Sequence, residues 1–309
     1  MNLYIIRIKK GYICKGTDGI TKIKKWWNGY SAEIDFSNPD AVRWFKEKLD
    51  YLCDTYGIDG FKFDAGDIFQ RLECEKPVYE YLKGYQTVGE SFKFNEFRAS
   101  FNAGGRALAQ RECDKHHRWT NGGIEDLVPD GLAQGILGCP YNCADMIGGG
   151  EFTIFYENSD SGNSDVFDGE IIIRYAQAAA LFPMMQYSFS PWRILKDHDL
   201  EYALEAEKIH LKFSDYIYEC AKTASKTGEP IMRYLEYSYP NKGYEKITDE
   251  FLLGEDILVA PVYQKSVFRR KVQLPDGIWE ADDGTVYEGN SEIEIDVPLS
   301  RLPYFIKQG

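Results

Sequence analysis

An α/β chain of parallel βα units, closed by a small antiparallel β module, is predicted by three observations. Short apolar strands alternate with helical segments through roughly residues 1–245, the rhythm of parallel βα units. Beyond that point, short strands punctuated by turn residues follow one another without helices. The composition, 44% hydrophobic and 28% charged, is that of an ordinary globular protein able to bury a sizeable core.

Each element has its own signal. Ser37-Asn38-Pro39-Asp40 is a helix start, with a capping side chain, a proline in the first turn and an acid beside the dipole. Phe45, Leu49, Leu52 and Cys53 then recur at helical spacing up to Tyr56-Gly57, where glycine can end the helix. Ile58-Asp59-Gly60-Phe61-Lys62-Phe63-Asp64 is a short strand finishing on an acid. Further strands are expected at 96–100, 107–113, 136–143 and 230–235, and helices at 170–185 and 200–227. In the closing module the strands are 251–253, 257–262, 270–274, 278–281 and 293–297, with turns at Pro275-Asp276-Gly277 and Asp283-Gly284. The predicted domains are residues 1–245 and 246–309.

Charge and cysteine usage bound the partners. Among 309 residues, 36 Lys or Arg face 49 Asp or Glu, a net charge of -13 that argues against nucleic acid. No apolar run approaches the roughly 20 residues that span a bilayer, so no membrane partner is expected. Met1-Asn2-Leu3-Tyr4-Ile5-Ile6-Arg7 carries no secretory pattern, and the 7 cysteines lack regular spacing. Reduced thiols and a cytoplasmic location follow as expectations. Cys139 and Cys143, with Cys113, His116 and His117 upstream, have no metal-ligand spacing, and Gly148-Gly149-Gly150 lacks that of a phosphate loop. Neither metal nor cofactor is expected. Aromatics reach 15%, which fits a large core or a cleft that stacks sugar rings.

Three acids stand at predicted strand ends: Asp64, Asp114 and Asp145. One such acid alone could be a cap or an ion-pair partner. Three on successive strand ends of a βα barrel converge on one mouth, where catalytic groups sit. Paired carboxylates suit glycoside hydrolysis, one as nucleophile or base and the other as proton donor. Lys62, two residues before Asp64, either shares its face and holds it ionised or snorkels outwards.

The run Gly57-Ile58-Asp59-Gly60-Phe61-Lys62-Phe63-Asp64-Ala65-Gly66-Asp67 resembles the nucleophile motif of glycoside hydrolase family 31. Trp26-Trp27-Asn28-Gly29-Tyr30 and Asp35-Phe36-Ser37-Asn38-Pro39 are similar to the segment leading into that strand. Arg98-Ala99-Ser100-Phe101-Asn102-Ala103-Gly104-Gly105-Arg106 resembles the family's substrate-contacting arginine segment, which precedes the acid/base aspartate by sixteen positions. That interval lands on Asp114, and Trp119 follows where the family has an aromatic. Ala144-Asp145-Met146-Ile147-Gly148-Gly149 resembles the motif after the seventh barrel strand, and Phe251-Leu252-Leu253-Gly254-Glu255-Asp256-Ile257-Leu258-Val259-Ala260-Pro261-Val262 the start of the C-terminal sandwich. The resemblance implies a (β/α)8 TIM barrel, present here from about strand three to strand eight, followed by a small antiparallel β-sandwich. It also implies retaining α-glycoside hydrolysis without a cofactor. Asp64 would be the nucleophile and Asp114 the acid/base. Arg98, Asp145, Lys62, Trp27, Trp119 and Ser188 would contact a carbohydrate substrate, with Trp26 a further stacking candidate.

Two departures refine these expectations. Gln110-Arg111-Glu112-Cys113-Asp114 replaces the usual tryptophan-glycine-aspartate context, and Ser188 in Met185-Gln186-Tyr187-Ser188-Phe189-Ser190-Pro191-Trp192 stands where α-glucosidases of the family place a histidine. These features are similar to a branch that includes α-galactosidase activity. Only 63 residues precede Asp64, so the sequence is expected to be the C-terminal portion of a longer enzyme. The alternative is an inactive remnant or a carbohydrate-binding piece.

Overall fold

The computed structural model describes residues 10–26, 29–66, 76–99, 101–150 and 167–309. They belong to two compact units, Met1–Gln110 and Arg111–Gly309. Trp27 and Asp67 lie outside the described residues.

In the first unit, β1 (Lys24–Trp26) and β2 (Gly29–Ser31) form an antiparallel hairpin. Helix α1 (Pro39–Tyr56) begins as its sequence requires: Asn38 accepts from the Asp40 amide at 2.9 Å, and Pro39 opens the first turn. It ends at Gly57, whose φ of 67° is the left-handed conformation glycine adopts without a steric cost. Next come β3 (Gly60–Phe63), α2 (Val78–Glu90), β4 (Phe94–Phe97) and the start of β5 (Ala109–Arg111). The three strands run parallel in that order, with Phe63 level with Phe97 and Phe97 with Gln110. Phe63 and Phe97 stack at 4.6 Å and anchor a core shared with Phe36, Leu82 and Val88. Helix α2 had no signal in the sequence pattern, because Gly84 and Gly89 interrupt it. Gly84 is required by contact: a Cβ there would lie 1.8 Å from the Phe36 carbonyl oxygen. The fourth strand ends at Phe97 rather than running to residue 100, so Arg98 stands just past a strand end.

In the second unit the Glu112 amide donates to the Cys143 carbonyl at 3.0 Å. Helix α3 (Leu127–Ile136) leads to β6 (Asn142–Cys143). The strand expected at 136–143 is thus mostly helix end and turn. Gly131 and Gly135 had hidden the helix, and both are dictated by packing: a Cβ on Gly131 would come within 2.8 Å of the Phe182 ring. Helix α4 (Gly169–Ala179) is shorter than expected; the chain then turns so that Met184 bridges Cys143 and Tyr187 bridges Ile147, both in parallel sense. Residues 171–182 are buried on all sides, which removes the helical period that would mark the end. The single helix expected at 200–227 is two, α5 (Asp197–Lys212) and α6 (Ser214–Thr227), broken at Phe213.

Strand β7 (Met232–Arg233) and the short α7 (Leu235–Ser238) precede β8 (Phe251–Leu253), β9 (Ile257–Val259), β10 (Arg269–Leu274), β11 (Ile278–Ala281), β12 (Val286–Glu288), β13 (Ser291–Asp296) and β14 (Tyr304–Gln308). Six of them form an antiparallel sheet ordered β12-β11-β14-β9-β8-β7, and β10 pairs with β13. Expected from the sequence as one of the parallel units, β7 instead pairs antiparallel with β8. Arg174, fully buried on α4, donates to the carbonyls of Val297 (2.7 Å) and Arg301 (3.2 Å), and Gln177 donates to that of Leu299 at 2.7 Å. Burial lowers the Arg174 pKa to about 10, so it stays charged while binding the helix to carbonyls of the β module.

Candidate active site

The parallel register of the first unit positions its candidate acid. Because Phe63 is level with Phe97, the next residues, Asp64 and Arg98, emerge side by side at the ends of adjacent strands. Arg98 Nη1 lies 3.4 Å from Asp64 Oδ1, with the arginine side chain 10% exposed and the carboxylate 56%. The aspartate is therefore accessible and the cation beside it is held from behind. Its backbone is fixed as well: Tyr85 donates its hydroxyl to the Asp64 carbonyl at 2.9 Å, and Gln110 donates to the Arg98 carbonyl at 2.8 Å. The chain leaves Asp64 through Ala65 at φ 62° and Gly66 at φ 88°. A left-handed alanine stores strain directly behind an exposed carboxylate, a placement typical of functional turns. Lys62 stands level with Glu96 and pairs with it at 3.3 Å.

The second unit carries Asp114 on a loop after β5. Its side chain is 47% exposed, and Arg111 Nη1 donates to its Oδ1 at 3.1 Å. Arg111 is buried, and the same nitrogen donates to Oδ1 of the fully buried Asp145. The other oxygen of Asp145 accepts the amides of Lys115 (2.7 Å) and Gly150 (3.0 Å). Burial raises the Asp145 pKa, against the pull of the Lys115 amide and the Arg111 guanidinium. Asp145 thus fastens the Asp114 loop to the 145–150 turn from beneath. Gly150 completes the contact: a Cβ there would sit 2.7 Å from the Asp114 side chain.

Around this clamp lies further polar structure. Glu112 is buried 3.4 Å from Lys115, whose ammonium also reaches Asp130. Burial pushes the Glu112 pKa well above the ordinary carboxylate range, opposed by Lys115. Burial works against the ammonium too, but Glu112 and Asp130 outweigh it and raise the Lys115 pKa. His117 faces the Gly148 carbonyl through Nδ1 and accepts the Asp168 amide at Nε2, both at 3.1 Å, which fixes a neutral imidazole. Ser188, half-buried, donates to the Gly149 carbonyl at 2.7 Å. Trp119 is partly buried against the larger core and donates Nε1 to Asp168 at 3.0 Å. Asp126 accepts the Gly122 amide at 2.8 Å, a turn-stabilising bond.

The structure therefore brings Arg98 to Asp64, and Asp145 beneath Asp114. The sequence assigned Arg111, Gly150 and His117 no role around Asp114. The signal for Arg111 was its place three residues before Asp114, in the Gln110-Arg111-Glu112-Cys113-Asp114 run that departs from the family's usual context.

Comparison with known proteins identifies the architecture. A model described as the glycosyl hydrolases family 31 TIM-barrel domain matches residues 2–220, and one described as the family 31 C-terminal domain matches residues 228–309. The myogenesis-regulating glycosidase of Mus musculus is 28% identical over 95% of this chain and 42% of its own length. Alpha-glucosidase 2 of Bacillus thermoamyloliquefaciens is 27% identical over 99% of the chain and 41% of its own. The cycloalternan-degrading enzyme from Trueperella pyogenes superposes with a TM-score of 0.84 at 21% identity, covering 99% of this chain and 46% of that one. A Flavobacterium johnsoniae family 31 dextranase complexed with isomaltotriose superposes with a TM-score of 0.82 at 23% identity, over 99% of this chain and 41% of that one. The chain spans less than half the length of each of these relatives.

Proposed function

Because the chain belongs to glycosyl hydrolase family 31, we propose that it cleaves terminal α-glycosidic bonds with retention of configuration. Asp64 attacks the anomeric carbon as Asp114 protonates the departing oxygen, giving a glycosyl ester. Asp114, now a carboxylate, takes a proton from the water that attacks the same carbon, which releases the sugar and frees Asp64. Arg98 places a positive charge beside Asp64 and supplies donors to substrate hydroxyls. Arg111 and Asp145 position Asp114 rather than touch the sugar.

The observation that carries this reading is the exposed Asp64 at the end of a parallel strand with Arg98 at 3.4 Å, inside a family whose reaction needs a carboxylate there. Ser188 favours a sugar other than glucose, with α-galactosides first, since a hydroxyl already donating to Gly149 cannot reproduce an imidazole's reach. The catalytic roles are tested by substitution in a complete protein containing this chain. Asp64→Ala is expected to lower kcat/KM by more than about 10³-fold on every α-glycoside. Asp114→Ala should spare aryl glycosides relative to alkyl ones, because an activated leaving group departs unprotonated, and azide should restore turnover with an α-glycosyl azide as product. Equal losses on both substrate types without azide rescue would move the proton-donor role to His116, Glu112 or Asp126. Higher kcat/KM on maltose than on every α-galactoside would overturn the sugar preference.

A further inference from the structure

A cleft of about 570 Å³ lies within the second unit, lined by residues 119–129 from one side and 248–271 of the β module from the other. Its volume is in the range that holds a small ligand. Asp114, Asp145 and Ser188 do not line it. Trp119 forms part of the wall together with Pro129, Pro261 and Val262. Its indole is locked by the Nε1 bond to Asp168, so it presents a fixed aromatic surface. The rim is polar and exposed, with Thr120, Thr248 and Gln264 offering hydroxyl and amide groups, while Asp249 and Glu125 add acceptors.

The cations of the cleft are already neutralised. Lys265 pairs with Asp168 (2.9 Å), Arg269 with Asp296 (2.9 Å), Arg270 with Asp249 (3.2 Å) and Lys271 with Glu292 (2.5 Å). An anion would find no spare positive charge there. A neutral polyol would find paired donors and acceptors, which is what a hydroxyl needs because it both donates and accepts. Tyr263 also lines the cleft, with its hydroxyl oxygen buried. A flat aromatic wall, uncharged polar groups and balanced charge together match a pyranose, whose C–H face is apolar and whose rim is hydroxyl.

We propose that this cleft is an accessory binding site for a neutral pyranose unit of an oligosaccharide. The inference rests on the carbohydrate reading above but not on the roles of Asp64 and Asp114. Isomaltotriose and an α-1,6-galactobiose, titrated into the full chain and followed by saturation-transfer NMR, provide the test. The expected result is binding of at least one sugar, weakened tenfold or more by Thr248→Trp, which fills the cleft from an exposed rim position. Gln264→Ala, which only removes an amide, should weaken it less, and both variants should keep the wild-type melting curve and the wild-type rate on aryl α-glycosides. Binding insensitive to Thr248→Trp yet lost in Arg98→Ala would overturn the proposal, as would no binding of either sugar or competition by inorganic phosphate. If the wild type binds through the cleft but hydrolyses no α-glycoside, the accessory site stands and the catalytic reading falls.

Discussion

Asp64 and Asp114 each meet an arginine, but the two regions hold that pair by different means. At Asp64 the arrangement comes from strand register: parallel strands place Phe63 level with Phe97, and the following residues face each other at the sheet's edge. At Asp114 the carboxylate rides on a loop, and the order comes from a buried charge pair, Arg111 with Asp145, tied to two backbone amides. A register needs no buried ion, because sheet hydrogen bonds and the Phe63–Phe97 stack already fix it. A loop has no such ladder, so its geometry is held by a desolvated carboxylate. The first device is robust to loss of any one charge, and the second depends on one residue.

Asp145→Ala breaks that second device most directly. Removing one partner leaves the buried Arg111 guanidinium less compensated, although Asp114 still accepts from it at 3.1 Å. Breaking such a buried pair costs up to about 3–5 kcal/mol. Urea denaturation should register the loss, and a variant within 1 kcal/mol of wild type would show that the clamp carries little. Gly150→Ala tests position rather than stability. Its Cβ would overlap the Asp114 side chain, so the rate on substrates needing protonation should fall about 10–100-fold with little change in melting, read as a kcat/KM ratio between alkyl and aryl glycosides.

The contrast also predicts where pH acts. Glu112 and Asp145 have folded pKa values raised by burial. Between the ordinary carboxylate range and those raised values the folded state binds more protons than the unfolded one. Their contribution is therefore fully present at low pH and lost as pH rises through the folded values. Glu112→Gln should flatten the fall in stability as pH rises above the ordinary carboxylate range, measured by denaturation at each pH; an unchanged slope would remove Glu112 as its source. The smallest effect is expected at the sheet edge. Lys62→Met breaks a partly exposed pair with Glu96, and stability should stay within about 1 kcal/mol.

Strand positions, caps and turns were legible where a local rule suffices. The Asn38 cap, the Gly57 stop and the strand ending at Asp64 depend on neighbours in the chain, and their residues state the outcome. Glycine-bearing helices were not legible. Gly84, Gly89, Gly131 and Gly135 look like breaks in sequence, and they are the sites where a second element comes too close for a side chain. Helix length at Ala179 was hidden because a helix buried on every side has no polar stripe to count.

The sequence by itself determined the family, and it offered the two acids and their arginine neighbour as candidates. Those depend on residue identity at fixed spacing, and spacing survives without a structure. Only the tertiary structure decided what stands behind each acid: the register that brings Arg98 to Asp64, and the buried Arg111–Asp145 pair 34 positions apart in the chain that holds the Asp114 loop. Such long-range pairs leave no periodic trace, because burial of a charge is set by what folds over it and not by its neighbours in sequence.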